Sequence, residues 1–379
     1  MNWALVAFAL TVSTVNGEKT VRHVHLSLSD DPTEMIVSWT TLRPLPGIVP
    51  YVNYGTSPSH LSEKVRASTV TWTDGGELKR VRYTHRAFLK YLHPGARYYY
   101  SAGSANEMSR VFSFFQPDGT RPLRAAVYGD VSLVNGFSIG PLVEAVKNAE
   151  FDLIIHLGDF AYDLGKENGS KGDAFMNALE PIMAEVPYMT IAGNHESEQN
   201  FLHYENRFTM PFNGFYQDNQ FWSITIGVLH MIGISTEYYL TGRTYEVQTQ
   251  YEWLKNDLQT NRGKWNVVFM HRPLYCSSKS PSGCNGEENT LPRDGKFGFP
   301  GLEALFNNEG VDMVFWGHEH TYERLWPVFK SKPFVGSDLH ELLVVMIICI
   351  LTKRSPNLSR PFDLAITAMS CSRLTTQLI

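Results

Sequence analysis

The spacing of apolar and polar residues divides the chain into two regions. From residue 21 to about residue 116, short runs alternate between apolar and polar positions, and clusters of Pro and Gly separate them. This pattern predicts strands at 35–39, 52–55, 84–89, 97–102 and 111–115. Because no helical stripe interrupts them, the region is predicted to be a small antiparallel sandwich.

Beyond a Pro- and Gly-containing linker at 117–122, the pattern changes to strands that alternate with helices. Short apolar runs predict buried strands at 125–128, 153–157, 189–192, 267–270 and 313–316. Apolar residues recur every three or four positions within 175–186, 251–258 and 302–306, which predicts helices. The second region is therefore predicted to be an α/β fold.

Each of the five predicted buried strands ends at a side chain that can bind a metal. These side chains are Asp130, Asp159 with Tyr162, Asn194, His271, and His318 with His320. Ligands collect beyond the carboxyl ends of strands in α/β sheets, so the five segments are expected to meet at one rim. Taken singly, each has an ordinary alternative as a core, turn or packing residue. Together, their mixed oxygen and nitrogen donors favour a pair of first-row metal ions and a two-metal hydrolase.

Composition and charge exclude some partners. The chain has 379 residues, with 38 acidic and 33 basic side chains and a formal charge of -5. Neither this balance nor any basic run favours nucleic acid or an anionic membrane as a partner. We therefore expect a globular protein without a nucleic-acid partner and without membrane association. The oligomeric state is not predicted.

The N-terminal segment has the pattern of a secretory signal. An apolar run at 4–12 is too short to span a bilayer, and small and polar residues follow it up to Gly17. A buried first strand is the alternative. In an oxidising compartment, Cys276 and Cys284, which lie close together among Ser, Pro and Gly residues, are expected to form a disulfide. Asn168 and Asn357 both fit the pattern for N-glycosylation.

The order of the five segments resembles that of the purple acid phosphatases, within the calcineurin-like metallophosphoesterases, and the resemblance covers roughly residues 21–328. It implies a calcineurin-like two-sheet α/β sandwich, preceded by an all-β sandwich similar to a fibronectin type III domain. The expected organisation is a signal peptide at 1–17, the N-terminal domain at 18–118, the metallophosphoesterase domain at 119–330 and a divergent tail at 331–379.

The resemblance also implies a set of ligands for each ion. For Fe(III) they are Asp130, Asp159, Tyr162 and His320. For a second, divalent ion, which can be Zn, Fe or Mn, they are Asp159, Asn194, His271 and His318. Asp159 would bridge the two ions, and a Tyr162 phenolate on Fe(III) would give the purple colour of the family.

The implied activity is an acid phosphatase that is secreted or lysosomal and hydrolyses small phosphate monoesters with a bridging hydroxide. His195 would contact the phosphate or the attacking group. The loop after His271 lacks the further histidines of many relatives and has Arg272, Tyr275 and Lys279 instead. Other candidates for the proton donor are Glu196 and Tyr322, each with a packing or surface role as the alternative. A metallophosphodiesterase or nucleotidase, or a non-catalytic extracellular binding protein, are the alternative functions.

The sequence departs from the family near Lys330. The apolar run at 342–351 is too short to cross a membrane, and it could form a substitute strand, a helix or an exposed surface. We expect the metallophosphoesterase domain to be incomplete at its C-terminus.

Overall fold

The N-terminal region folds into a sandwich of two antiparallel four-stranded sheets. The computed structural model describes residues 20–216, 218–277 and 286–333, together with the backbone of strands at 344–347 and 366–367. The strands are β1 (Arg22–Leu28), β2 (Met35–Thr41), β3 (Tyr51–Gly55), β4 (Glu63–Arg66), β5 (Ser68–Thr73), β6 (Val81–Leu89), β7 (Arg97–Gly103) and β8 (Phe112–Phe115). The strand orders are β1-β2-β6-β5 and β4-β3-β7-β8. The alternating pattern therefore predicted this architecture correctly.

The second region contains two further sheets that face each other. Its strands are β9 (Ala125–Tyr128), β10 (Leu153–His156), β11 (Tyr188–Thr190), β12 (Trp222–Ile226), β13 (Leu229–Gly233), β14 (Trp265–Phe269), β15 (Met313–Trp316), β16 (Glu323–Leu325), β19 (Val344–Ile347) and β20 (Ile366–Thr367). One sheet is parallel, in the order β11-β10-β9-β20, and the other has the order β12-β13-β14-β15-β19-β16. A short hairpin, β17 (Val328–Phe329) and β18 (Lys332–Pro333), stands apart.

Helices cover the outer faces of these two sheets. They are α1 (Ile139–Lys147), α2 (Ser170–Met183), α3 (Leu202–Arg207), α4 (Glu237–Leu240), α5 (Thr244–Thr260), α6 (Glu287–Asp294) and α7 (Leu302–Asn308). The predicted apolar stripe of α2 is buried at Phe175, Leu179 and Ile182. Each of these side chains contributes about 1.5–3 kcal/mol by leaving water. Among the described residues, no helix has the length and apolar character that crossing a bilayer would need.

The tail contributes a strand to each sheet. Val344–Ile347 pairs in parallel with β15 and antiparallel with β16, so part of the apolar run at 342–351 is a strand. Ile366–Thr367 pairs in parallel with β9. The signal-like segment at 1–17, Cys284 and Asn357 lie outside the described residues, so the predictions for them stay predictions.

Buried ion pairs join the N-terminal sandwich to helix α2. Arg82 on β6 donates to Asp74 at 2.6 Å and to Asp173 on α2 at 2.8 Å, and Arg207 donates to Asp173 at 2.8 Å. The Arg82 side chain is 1% exposed. Because these charges are withdrawn from water, each depends on its partner for compensation.

Asn168, the predicted glycosylation acceptor, lies beside these ion pairs. Its backbone carbonyl accepts a hydrogen bond from Arg82, and its side-chain oxygen accepts one from the amide of Leu78. The residue is partly exposed. Occupancy of this position by a glycan stays a prediction.

We expect Arg82→Met to lower the free energy of unfolding by about 3–5 kcal/mol, because it leaves the buried carboxylate of Asp74 without a guanidinium partner and Asp173 with Arg207 alone. Urea unfolding followed by tryptophan fluorescence measures this change. Lys147→Met is the control: it removes an exposed pair with Glu144, and its expected effect is below about 1 kcal/mol. A loss of less than about 1 kcal/mol in Arg82→Met would contradict the prediction.

Candidate metal centre

The predicted donors sit in the loops that follow β9, β10, β11, β14 and β15. These strands end at Tyr128, His156, Thr190, Phe269 and Trp316, and each donor lies within a few residues of its strand end. Because the five strands are parallel within their two sheets, their carboxyl ends point towards the same rim. The structure thus brings together residues that are up to 190 positions apart, from Asp130 to His320.

One cluster of donors contains Asp159, Asn194, His271 and His318. One potential ligand atom each from Asp159, His271 and His318 lie within 4.8 Å of one another. The Asn194 side-chain oxygen is 3.1 Å from Nε2 of His271. Nδ1 of His271 lies 2.6 Å from the carbonyl oxygen of Leu157 and donates to it, which directs Nε2 into the cluster. A ring nitrogen fixed in this way is typical of histidines that bind metals.

A second cluster contains Asp130, Tyr162 and His320. The Tyr162 hydroxyl is 2.7 Å from Nε2 of His320, which lies 3.4 Å from Oδ1 of Asp130. The two clusters touch, because the backbone amide of His318 donates to the Asp130 carboxylate at 3.0 Å. All seven predicted ligands therefore lie in one region, as two adjacent groups.

Two glycines beside the donors are explained by close packing around the carboxylates. A Cβ on Gly317 would lie 2.6 Å from Oδ2 of Asp130, and a Cβ on Gly193 would collide with Oδ1 of Asp159. At both positions, only glycine leaves room for the carboxylate to reach the centre.

The backbone at the centre is strained. Asp130, Asp159 and His318 have φ angles of 60°, 58° and 72°, a region that residues other than glycine rarely adopt. Such strain persists only where surrounding contacts hold the chain in place, and it is common at functional sites.

Glu196 is one of the groups that hold this backbone. Its buried carboxylate accepts hydrogen bonds from the amides of Asp159, Phe160 and Gly193, at 2.8–2.9 Å. Burial raises the pKa of Glu196 well above its usual value, and Asp159 adds to the rise, while the donating amides oppose it. Among the two roles considered for Glu196, the structure therefore favours organising the loops over protonating a leaving group.

His195 is anchored at the edge of the centre. Its backbone amide donates to Oδ1 of Asp159 at 3.0 Å, and its Nδ1 lies 2.7 Å from Oδ1 of Asp163. Its side chain is 33% exposed, so the ring can reach a bound molecule. No sequence pattern links His195 with Asp163, because the two belong to different loops.

A third arrangement was not predicted. Arg272, next to His271, donates through Nε to Oε1 of Glu237 at 2.8 Å and through Nη2 to Oε2 at 3.2 Å. Its Nη1 donates to Oε2 of Glu288 on α6, and that oxygen is 3.1 Å from Nε2 of His318. No short motif connects positions 237, 272 and 288, so the sequence offered no signal for this network.

Charge within the centre is tightly coupled. Burial would raise the pKa of Asp159, but His271 and His195 outweigh burial and hold it well below its usual range. Burial likewise would lower the pKa of His271, yet Asp159 and Asp130 raise it to about 10. For His318, burial dominates and lowers the pKa to about 3. The centre therefore holds carboxylates and imidazoles whose charges depend on one another, an arrangement that suits a cation.

Comparisons with known proteins agree with this geometry. Residues 123–322 match the calcineurin-like phosphoesterase family, and residues 21–115 match the purple acid phosphatase N-terminal domain. Mouse acid phosphatase type 7 is 39% identical over 331 residues, which cover 84% of this chain and 74% of the mouse protein. Its human counterpart is 38% identical over 88% of this chain and 77% of the human protein.

A solved structure shows the same fold. The purple acid phosphatase from yellow lupin seeds superposes with a TM-score of 0.72 at 22% identity, over 87% of this chain and 64% of the lupin chain. The chain thus spans just under two thirds of the lupin protein. It belongs to the purple acid phosphatase family of calcineurin-like phosphoesterases. The predicted family and fold class are confirmed, and the family together with the donor cluster indicates a di-metal site.

Replacing Glu196 with Ala removes the acceptor of three buried amides, so we expect Glu196→Ala to lower the free energy of unfolding by about 3 kcal/mol or more. Metal content after dialysis is expected to fall with it, because Asp159 is no longer held. The exposed Glu198 provides the matched control, Glu198→Ala, which is expected to change neither quantity. Unfolding in urea and elemental analysis measure both; wild-type values for Glu196→Ala would count against this role.

Proposed function

We propose that this protein is an acid phosphatase that hydrolyses small phosphate monoesters at an Fe(III)–M(II) di-metal site. The observation that carries the proposal is the meeting of two donor clusters, one around Asp159 and one around Asp130, at the rim where five parallel strands end. Acid phosphatase activity is also the activity named for its mammalian relatives.

The donor chemistry supports an unequal pair of ions. The Asp130 carboxylate and the Tyr162 phenol, with His320, form the harder set, which suits Fe(III). Asn194, His271 and His318 supply one amide oxygen and two imidazoles, which suit Zn²⁺, Fe²⁺ or Mn²⁺. In this proposal, Asp159 would serve both ions. The buried Nδ1 contact of His271 with Leu157 supports its role as a ligand.

The surrounding residues define how a phosphate would be handled. When bound, the two ions supply a water-derived nucleophile and positive charge for the phosphate. His195, partly exposed and held by Asp163, is placed to donate a hydrogen bond to a phosphate oxygen or to the leaving group. Arg272 is occupied by Glu237 and Glu288, so its charge is already balanced and His195 becomes the favoured donor.

We also propose the domain boundaries, the location and the covalent modifications of the protein. Residues 1–17 act as a signal peptide that directs the protein to secretion or the lysosome, with an N-terminal domain at 18–118, a metallophosphoesterase domain at 119–330 and a divergent tail at 331–379. Cys276 is disulfide-bonded, which supports an oxidising compartment and the pairing with Cys284. Asn168 and Asn357 are the proposed glycosylation positions.

The activity is tested on purified protein with p-nitrophenyl phosphate, bis-p-nitrophenyl phosphate and ATP, alongside elemental analysis and a visible spectrum. We expect bound iron, preference for the monoester, and a visible band that Tyr162→Phe abolishes and the control Tyr322→Phe retains. Faster hydrolysis of the diester or of ATP would favour the diesterase or nucleotidase instead. Metal without turnover would favour the binding protein, and protein without metal and without turnover would sink the proposal.

Binding of Zn²⁺ to the metal-free protein is expected to depend on pH through His271. Its pKa of about 10 lies above the ordinary value of 6.5, so the ring is protonated at neutral pH and must lose a proton to bind an ion. Apparent affinity should therefore rise by about tenfold per pH unit between pH 7 and 9. Calorimetry in buffers of different ionisation enthalpy measures the released proton; binding without proton release would contradict the assignment.

A further inference from the structure

One ring nitrogen of His318, Nε2, has two charged neighbours: a carboxylate and a guanidinium. Nε2 lies 3.1 Å from Oε2 of Glu288 and 3.3 Å from Nη1 of Arg272. Among the described residues, the hydrogen-bonding contacts of this ring fall on Nε2. The His318 side chain is 15% exposed and that of Glu288 is 38% exposed.

The chemistry of the neighbours decides which nitrogen carries the proton. A carboxylate oxygen only accepts, so a lone pair on Nε2 would face another lone pair across 3.1 Å, whereas an Nε2 proton makes a charge-assisted hydrogen bond. Arg272 only donates: one Nη1 hydrogen goes to the same oxygen of Glu288, and the 3.3 Å contact of Nη1 with Nε2 is longer than the 3.1 Å contact of Nε2 with the carboxylate. Both Nη1 of Arg272 and Nε2 of His318 therefore direct protons at one carboxylate oxygen.

Two further contacts hold Arg272, which in turn holds the carboxylate of Glu288. Arg272 is held from behind by Glu237, whose carboxylate is 2% exposed and accepts from two guanidinium nitrogens. The amide of Arg272 also donates to the Thr236 hydroxyl at 3.0 Å. The guanidinium thus lies between two carboxylates in a fixed orientation, and one of them reaches the histidine.

We propose that Glu288, held by Arg272, is a positioning residue that keeps the proton of His318 on Nε2 and leaves Nδ1 free to bind the divalent ion. The inference rests on the proposed function, since it concerns the same centre. It gives a role to the loop after His271, where Arg272 and Glu288 stand in a segment without histidines. Carboxylates that orient a metal-binding histidine commonly contribute 10–100-fold to metal affinity.

The proposal is tested first by metal retention. Glu288→Gln is expected to weaken binding of the divalent ion by about 10–100-fold, measured by dialysis against a chelator and elemental analysis, while iron content and the visible band stay at wild-type levels. Glu287→Gln is the matched control on the same helical turn, because Glu287 is exposed and pairs only loosely with Lys296 at 3.5 Å. It should retain the divalent ion as the wild type does.

A second experiment determines which ring nitrogen of His318 carries the proton in the metal-free protein. Nitrogen shifts of ¹⁵N-histidine-labelled protein, with the His318 signals assigned by their loss in His318→Gln, should show the proton on Nε2 in the wild type and in Glu287→Gln. In Glu288→Gln, that preference should weaken. Arg272→Lys, which cannot contact both carboxylates through one planar group, should shift retention in the same direction as Glu288→Gln.

The outcomes separate the inference from the proposed function. A wild-type protein with no bound metal would overturn the function, while the ring measurement would still decide the position of the proton. A proton on Nδ1 in the wild type would overturn the inference, as would wild-type retention of the divalent ion by Glu288→Gln. Equal loss of iron and the divalent ion would also overturn it, because that result indicates a general structural role.

Discussion

The structure depends on keeping two buried carboxylates, Asp130 and Asp159, charged at the rim where the five strands end. Both residues have left-handed backbone angles, so the chain bends sharply exactly where charge density is highest. Isolated charges in such a place would be strongly unfavourable. The His318 amide and the His320 ring on Asp130, with the His195 amide and the His271 ring on Asp159, compensate the cost together. The contacts that hold the loops in place therefore also stabilise the charges of the two carboxylates.

The sequence predicted this rim well because its signals are local. Strands β9 and β15 were predicted with their observed ends, and the donors after them follow in the next few residues. Helix α6 was not predicted because it carries no clear apolar period, whereas the hairpin of β12 and β13 was missed although Trp222–Ile226 alternates and Gly227 marks its turn. The partners of Glu196, His195 and Arg272 were missed for a different reason: they belong to separate loops, and only the folded chain shows which loops meet.

The N-terminal sandwich contributes to the centre indirectly. Arg82 reaches helix α2 through Asp173, and the Tyr100 hydroxyl donates to the carbonyl of Ala184 just after that helix. Helix α2 in turn follows the loop that carries Asp159 and Tyr162. Moving the sandwich would therefore disturb the support under that loop. No pattern in the sequence indicated this contact, because Arg82 lies in an ordinary strand and its partner is 91 residues away.

Strand β19, which belongs to the divergent tail, affects the geometry of the loop that carries His318 and His320. It lies between β15 and β16, so these two strands are separated by two steps of the sheet, or about 10 Å. The only link between them is the stretch 317–322, which carries both His318 and His320 and arches over the end of the inserted strand. Because β15 and β16 fix both ends of this stretch, their spacing constrains the backbone that carries the two histidines. Strand β19 therefore bears on where His318 and His320 lie, although it supplies none of the donors.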